Sequence, residues 1–451
     1  MQQGELKRVL ARKEVLALAF GAMVGWSWVA LAGQWVGTAG ALGTVTAFVL
    51  GGLLMVLIAL VYAELAAAMP YVGGEHVYSL RALGTGGSFV CTWAIVFAYV
   101  SVAAFEAVAL PTVLEYLFPQ LKVGYLWTVG GYPVYATWVG VGMSAAVVMT
   151  AINVMGVKLA ARVQTLVTLF LLLVGALFVT GALYEGRVTN LSPLYRDGFA
   201  GVAGVLVMVP FMFVGFDIIP QAAQEIKLPA RQIGKVMLVS VVMAACWYGL
   251  IVLGVGLSLP EEARAQAKLA TADASGTVWG NPWAAQLVIL AGVAGIITSW
   301  NAFLMGGARA IFAMARAGQL PSFLGRLHPE YNTPSNAVLL IGLLSLLAPL
   351  FGHKTLVWLV DAGSLGVVVA YALVALSFLR LRRREPTMER PFRVAGGRAI
   401  GSLALVASLG FMTLYFPGSP AGLVWPYEWA VVSGWVLLGA AFYLWAWLSR
   451  P

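Results

Sequence analysis

Charge is what this sequence has least of. Asp, Glu, Lys and Arg together make up 10% of its 451 residues, against roughly 25% in soluble domains. Histidine (3) and cysteine (2) are scarcer still. His76, His328 and His353 sit at span ends or in loops, too dispersed to bind a metal or activate a nucleophile. Cys91 and Cys246 fall inside apolar runs, which excludes a disulfide framework and a thiolate metal site. No catalytic constellation remains, so an enzyme is not expected, and no organic cofactor is either. Long polar stretches are missing too. The largest, Leu259 to Trp283, is too short for a second domain.

Apolar length is abundant instead. Hydrophobic residues are 61% of the chain and the mean hydropathy is +0.90. Runs of about 20 residues, enough to cross a hydrocarbon core of roughly 30 Å as a helix, recur near 15–38, 42–69, 87–117, 132–153, 159–184, 199–224, 236–258, 284–313, 335–352, 356–381, 397–417 and 426–449. The expected fold is an all-α membrane protein of twelve transmembrane helices in one domain, 1–451. The first run lacks a small-residue cleavage site and a second run follows at once, so it reads as a retained helix. A net charge of +9 would suggest nucleic acid for a soluble protein, but here its distribution reads as topology. With the N-terminus inside, 21 of the 27 Lys and Arg fall in cytoplasmic segments; Lys122, Arg187, Arg196, Arg264, Lys268 and Lys354 are left outside. That asymmetry puts both termini, Arg450 included, in the cytoplasm of a multi-pass cell-membrane protein. Its partner is the lipid bilayer, with no nucleic acid and no obligate protein partner indicated.

Interrupted helices are tolerated in a bilayer only where they are buried in protein or line a cavity. The first run reads Gly21-Ala22-Met23-Val24-Gly25-Trp26-Ser27-Trp28 and the sixth reads Pro210-Phe211-Met212-Phe213-Val214-Gly215-Phe216-Asp217, then Pro220. Glycines four apart also suit close helix packing. Matching breaks at the start of two five-span halves point instead to a transporter site between repeats.

Ordered motifs carry a family resemblance. The second run and the loop after it read Tyr62-Ala63-Glu64-Leu65 and Met69-Pro70-Tyr71-Val72-Gly73-Gly74-Glu75-His76-Val77-Tyr78. The sixth continues through Gly215-Phe216-Asp217 to Gln224-Glu225-Ile226-Lys227-Leu228-Pro229-Ala230-Arg231. Arg309-Ala310-Ile311-Phe312-Ala313-Met314-Ala315-Arg316-Ala317-Gly318, Leu320-Pro321, His328-Pro329, Thr333-Pro334, Arg384-Glu385-Pro386 and Arg390-Pro391-Phe392-Arg393-Val394 follow. This series resembles the amino acid, polyamine and organocation transporter superfamily. The resemblance implies the leucine-transporter fold: a 5+5 inverted repeat, here 15–184 and 199–381, with two more helices in 397–449. It implies a secondary transporter working by alternating access on a small-molecule substrate, an amino acid or related organic amine.

The same resemblance nominates a site. The substrate amine would rest on carbonyls left free by the breaks, around Val24, Gly25, Phe213 and Gly215, with Glu106 or Asp217 adding negative charge. A carboxylate would meet the amides near Trp26 and Ser27, and Phe216 would close over the substrate. Two departures qualify this. The family's Gly-Ser-Gly at the first break is Gly25-Trp26-Ser27 here, where the indole narrows the site. The lysine of proton-coupled relatives is matched by Leu171. Sodium-coupled members of the fold hold Na⁺ at positions matching Gly21, Val24, Gly295, Thr298 and Ser299, an oxygen set that suits a hard cation. Those hydroxyls would otherwise bond the preceding turn. Coupling to Na⁺, to H⁺ or to neither stays open, with Na⁺ symport the main expectation.

Membrane-embedded acids are costly and usually have a partner or a cavity. Glu106 reads as a counter-charge or proton acceptor, or as an acid bonded to a neighbouring helix. Asp217 reads as a cap on the second half-helix or as an amine contact. Asp361 reads as a gate or relay residue, or as one half of a pair. Glu64 and Glu225 read as supports of the fold and cytoplasmic gate. Trp28 is a packing residue or an ammonium contact. Amines lacking a carboxylate, such as ethanolamine or polyamines, are the alternative substrates, uncoupled exchange the alternative mode, and a channel or nutrient sensor on the same fold the alternative class.

Overall fold

A helix satisfies its own amides, which is why apolar runs in a bilayer take that form. The computed structural model describes residues 6–352, 354–419 and 422–448, and helices lie over each of the twelve apolar runs. His353 and Arg450 lie outside the described residues. The first run is split into α1 (Arg12–Val24), α2 (Ser27–Ala30) and α3 (Ala32–Ala39), with α3 bent 68° from the pair before it. Next come α4 (Ala41–Ala68) and α5 (Glu75–Leu117). The latter starts well before residue 87, because Gly84 (φ 78°, ψ −173°) joins a short polar helix to the apolar run.

A departure from the all-α expectation follows. Strands β1 (Tyr125–Val129) and β2 (Tyr132–Tyr135) form an antiparallel hairpin. Aromatic and β-branched residues flank Gly130-Gly131, both at positive φ, which is the chemistry of a two-residue hairpin turn. After α6 (Ala136–Val154) and α7 (Val157–Glu185), the sixth run is again split, into α8 (Gly198–Leu206), α9 (Val209–Phe213) and α10 (Ile218–Gln221). Then come α11 (Ala230–Ser258), the short α12 (Glu261–Gln266) and α13 (Ala270–Val278) in the polar insertion, and the long α14 (Pro282–Arg316). The chain ends with α15 (Ser335–Leu347), α16 (Thr355–Arg384), α17 (Gly397–Thr413) and α18 (Tyr427–Leu448).

Among the described residues, nine helical segments, Gly198–Gln221 counted as one, are long and apolar enough to cross a membrane, or ten when the bent first pair is taken as one span. The segments Ser335–Phe351 and Gly397–Thr413 are apolar but shorter. The core gathers around the broken helices, with α10 and α1 from Ala17 onward buried while α17 and α18 keep apolar faces outward.

Two buried acids, Glu225 and Glu64, are held by three arginines. Glu225, just after α10, takes both Nη2 and Nε of Arg309 on α14, at 2.9 Å and 3.1 Å, and both side chains are buried. Glu64 on α4 receives Arg382 and Arg390, the latter at 3.0 Å, and also the amide of Val394 at 2.7 Å. These acids support the fold, as the sequence suggested. A buried pair contributes little by itself, but removing one partner strands a charge. Arg309→Met is therefore expected to cost roughly 3–5 kcal/mol, read as a lower unfolding temperature in detergent. Adding Glu225→Gln should recover much of the loss.

Candidate functional site

α1 stops at Val24 because Gly25 takes φ 46°, ψ −142°, a conformation strained for any residue with a Cβ. Helix resumes at Ser27. The second break spans Val214 to Asp217, with Gly215 at φ 130°. The two breaks touch: a Cβ on Gly215 would lie 2.6 Å from Ala22 Cβ and 3.0 Å from the amide nitrogen of Met23. The sequence-derived pairing of the breaks is thus a physical contact.

Polar groups freed at the breaks find specific partners. The Tyr248 hydroxyl on α11 donates to the carbonyl of Met23 at 2.7 Å, lies 3.2 Å from that of Val24, and is 2.9 Å from the Ser27 hydroxyl. Ser27 Oγ in turn donates to Val24 O at 3.3 Å. On the other break, Asp217 Oδ1 accepts from the Gly215 amide at 2.7 Å. Asp217 stands at the cap position of α10 but makes no capping bond there. The capping role expected for it is therefore replaced by bonding back into the break, since the first amides of α10 already donate to the carbonyls of Gly215 and Phe216. Thr271 of α13 donates to the carbonyl of Trp28 at 2.7 Å.

Tyr248 escaped the sequence reading. Its ring stacks on Phe48 (5.0 Å, 11°) and stands 5.9 Å from Phe213, so one side chain links both breaks to α4. An isolated tyrosine in an apolar run carries no motif, and only the fold brings it here.

Glu106 of α5 is buried and reaches the first break. The Cβ position of Gly25 is 3.9 Å from Glu106 Oε1 and 3.8 Å from Ser299 Oγ, so an acid, a hydroxyl and the broken backbone converge. Glu106 Oε2 and Asp217 Oδ2 have no hydrogen-bond partner among the described residues. Neither acid has an arginine or lysine ion pair there, unlike Glu64 and Glu225.

The aromatics near the breaks each have a distinct packing partner. The indole of Trp26 is seated on Gly292 of α14, where a Cβ would meet its ring at 2.2 Å, so it turns toward α14. Trp28 packs edge-on against Trp247 at 5.3 Å, and Phe20 does the same at 5.7 Å. Phe216 packs with Tyr62 (5.4 Å) and Tyr371 (5.7 Å). Asp361 faces another acid, Glu428 of α18, so any pairing there is acid with acid.

Of the five oxygens nominated for Na⁺, three are contiguous. Thr298 Oγ1 donates to Gly21 O at 3.1 Å and to Gly295 O at 3.0 Å. Val24 O is held by Tyr248, and Ser299 faces Gly25 with Glu106. Gly295 itself must be glycine, since a Cβ would lie 1.8 Å from Gly25 O. Leu171 is buried on α7. The polar groups that α7 does bring to α1 are Gln164 and Thr168, both donating to Ala17 O, with Gln164 accepting from Asn301 of α14 at 2.8 Å. A second acid near the sixth break, Glu75, receives Gln221 and leaves Oε1 without a partner; the motif containing it drew notice only for the resemblance.

The chain as a whole is similar to known proteins. The model of the amino acid permease family matches residues 10–442. Among curated proteins, the branched-chain amino acid permease BcaP of Bacillus subtilis is 28% identical over 91% of this chain and 90% of its own length. The methylthioribose transporter of the same organism is 26% identical over 93% and 90%. Its aspartate-proton symporter is 24% identical over 90% and 79%.

Tyr248→Phe keeps the stack on Phe48 and removes only the hydroxyl. It is expected to lower stability by about 1–1.5 kcal/mol, the size of one net hydrogen bond. Tyr248→Ala should cost at least 3 kcal/mol, the range for a large buried side chain. Thermal unfolding of the two variants would check the difference.

Proposed function

The chain belongs to the amino acid permease family, and from that premise we propose that it imports a neutral amino acid or a related organic amine by alternating access, coupled to a cation. Proteins of this family are transporters rather than enzymes, and this one is a multi-pass membrane protein. The finer architecture we propose is one domain of twelve spans, a 5+5 inverted repeat followed by α17 and α18, with both termini cytoplasmic.

The observation that carries the reading is the contact between the two breaks, with Glu106 and Ser299 gathered at Gly25. The amine would sit at this junction, its charge compensated by Glu106 and its protons directed to backbone carbonyls of the first and sixth breaks. Asp217 would stabilise the second break and add negative potential. Amides at the start of α2 have no carbonyl a turn earlier and suit a carboxylate. Ser27 is occupied with Tyr248 and Val24, so its side chain contributes less than its backbone. The buried residues Val24, Phe213 and Phe216 favour an apolar substrate side chain. An acidic one would meet Glu106 and Asp217 at close quarters. Closure over the substrate is assigned to Phe216, whose ring is braced by Tyr62 and Tyr371.

For the coupling ion, Na⁺ between α1 and α14 would be held by the carbonyls of Gly21, Val24 and Gly295 and the hydroxyls of Thr298 and Ser299. Three of those oxygens already adjoin, and five neutral oxygens suit a hard monovalent cation. Proton coupling is the second reading. It is favoured by Glu75 and Asp217, two buried acids with unpartnered oxygens and no basic ion-pair partner among the described residues.

Uptake into proteoliposomes under imposed gradients decides between them, after a thermal-shift screen of amino acids and amines. A Na⁺ gradient should drive accumulation, and Thr298→Val should weaken the Na⁺ response roughly tenfold or more. Accumulation driven by ΔpH and indifferent to Na⁺ would transfer the coupling role to the acids. Glu106→Gln should weaken substrate affinity by about 2 kcal/mol, roughly thirtyfold; unchanged affinity would remove Glu106 from the site. A screen in which only amines lacking a carboxylate bind would leave the α2 amides without their proposed role.

A further inference from the structure

The arginines at the end of α16 do more than mark a side of the membrane. The loop from Glu385 to Gly396 lies beside them and borders an open pocket of about 460 Å³, lined by Arg382, Arg390, Arg393 and Arg398 and by the start of α17. Two of the four are fixed. Arg382 binds Glu64 and the carbonyl of Val394, the latter at 2.8 Å. Arg390 binds Glu64 and the carbonyls of Met388 and Glu385, at 2.9 Å and 3.0 Å. The other two, Arg393 and Arg398, are exposed and form no ion pair among the described residues.

Glu64 is one carboxylate against four guanidiniums, and Glu385 is already committed to Arg81. Three positive charges are left over in one cup. The cup also receives the N-terminus of α17, a helix of 17 residues whose cap residue, Gly396, offers no side chain to its free amides. Gly397 lets the Arg382 guanidinium lie against the start of the helix, where a Cβ would come within 2.0 Å of Arg382 Cζ. Fixed guanidiniums, free guanidiniums and open amides together form a receptor for a multiply charged oxyanion such as phosphate.

Just beyond the cup, α17 presents Leu403 and Val406 outward, 54% and 67% exposed. A free anion has no use for that surface, whereas a lipid has. We propose that the cup binds the phosphate-bearing headgroup of an anionic phospholipid, with its acyl chains along Leu403 and Val406. This site is separate from the substrate junction and stands whether or not the transport reading does. Basic pockets between membrane helices are suited to such headgroups.

The test uses the full-length protein in neutral detergent, titrated with phosphatidylglycerol, phosphatidylcholine or inorganic phosphate while unfolding is followed thermally. Saturable stabilisation by phosphatidylglycerol alone is expected. Arg393→Gln with Arg398→Gln should leave the unfolding temperature in phosphatidylcholine unchanged and raise the phosphatidylglycerol concentration required roughly thirtyfold, for two charges near a surface. Native mass spectrometry should show the bound lipid retained by the parent and lost from the double variant, a readout independent of any change in basal stability. Equal responses to the two lipids, or an undiminished response in the variant, would overturn the proposal. So would saturation by inorganic phosphate alone, which would assign the cup to a soluble anion.

Discussion

Backbone amides and carbonyls in a hydrocarbon layer must be paired, and the rest of this structure follows from how two broken helices meet that demand. A break in one helix would expose several polar groups to lipid, each at a cost of several kcal/mol. Here the two breaks are pressed together at Gly215 and Ala22, and side chains from surrounding helices serve the groups they free. Tyr248 reaches in from α11, Thr298 from α14 and Thr271 from α13, while Asp217 closes its own segment. The result is polar backbone inside an apolar bundle, met by side chains from three other helices.

Buried acids are distributed with the same logic. Glu64 and Glu225 lie where the bundle must hold together, and each is matched by arginine. Glu106, Asp217 and Glu75 lie around the breaks and are not. An unmatched carboxylate in low dielectric strongly favours any arriving cation, whether an ammonium, a metal ion or a proton. All five are comparably buried, so what separates the two groups is whether an arginine faces them.

Much of this was legible from residues alone, and for identifiable reasons. The runs around α4 and α7 are continuous and end at glycine or proline, so their extents were read to within a few residues. The breaks at Gly25 and Gly215 were visible because glycine in mid-span is conspicuous. Less legible were features made by residues distant in sequence. Tyr248 and Asn301 have no local signature. The early start of α5 was hidden because its first turns are polar. The seat of the Trp26 ring against Gly292 of α14 was not legible either, since it depends on which helix packs beside the break.

Sequence by itself determined that the chain is a helical membrane protein, where its helices are interrupted, and which family it belongs to. Hydropathy, glycine placement and motif order are local quantities, set before any helix meets another. Tertiary structure alone decided what each polar side chain faces. It turned Asp217 from a cap into a partner for Gly215, set Glu106 beside Ser299, and brought four arginines to the lining of one pocket. Those outcomes depend on which helix faces cross, a property of the packed bundle that no single segment carries.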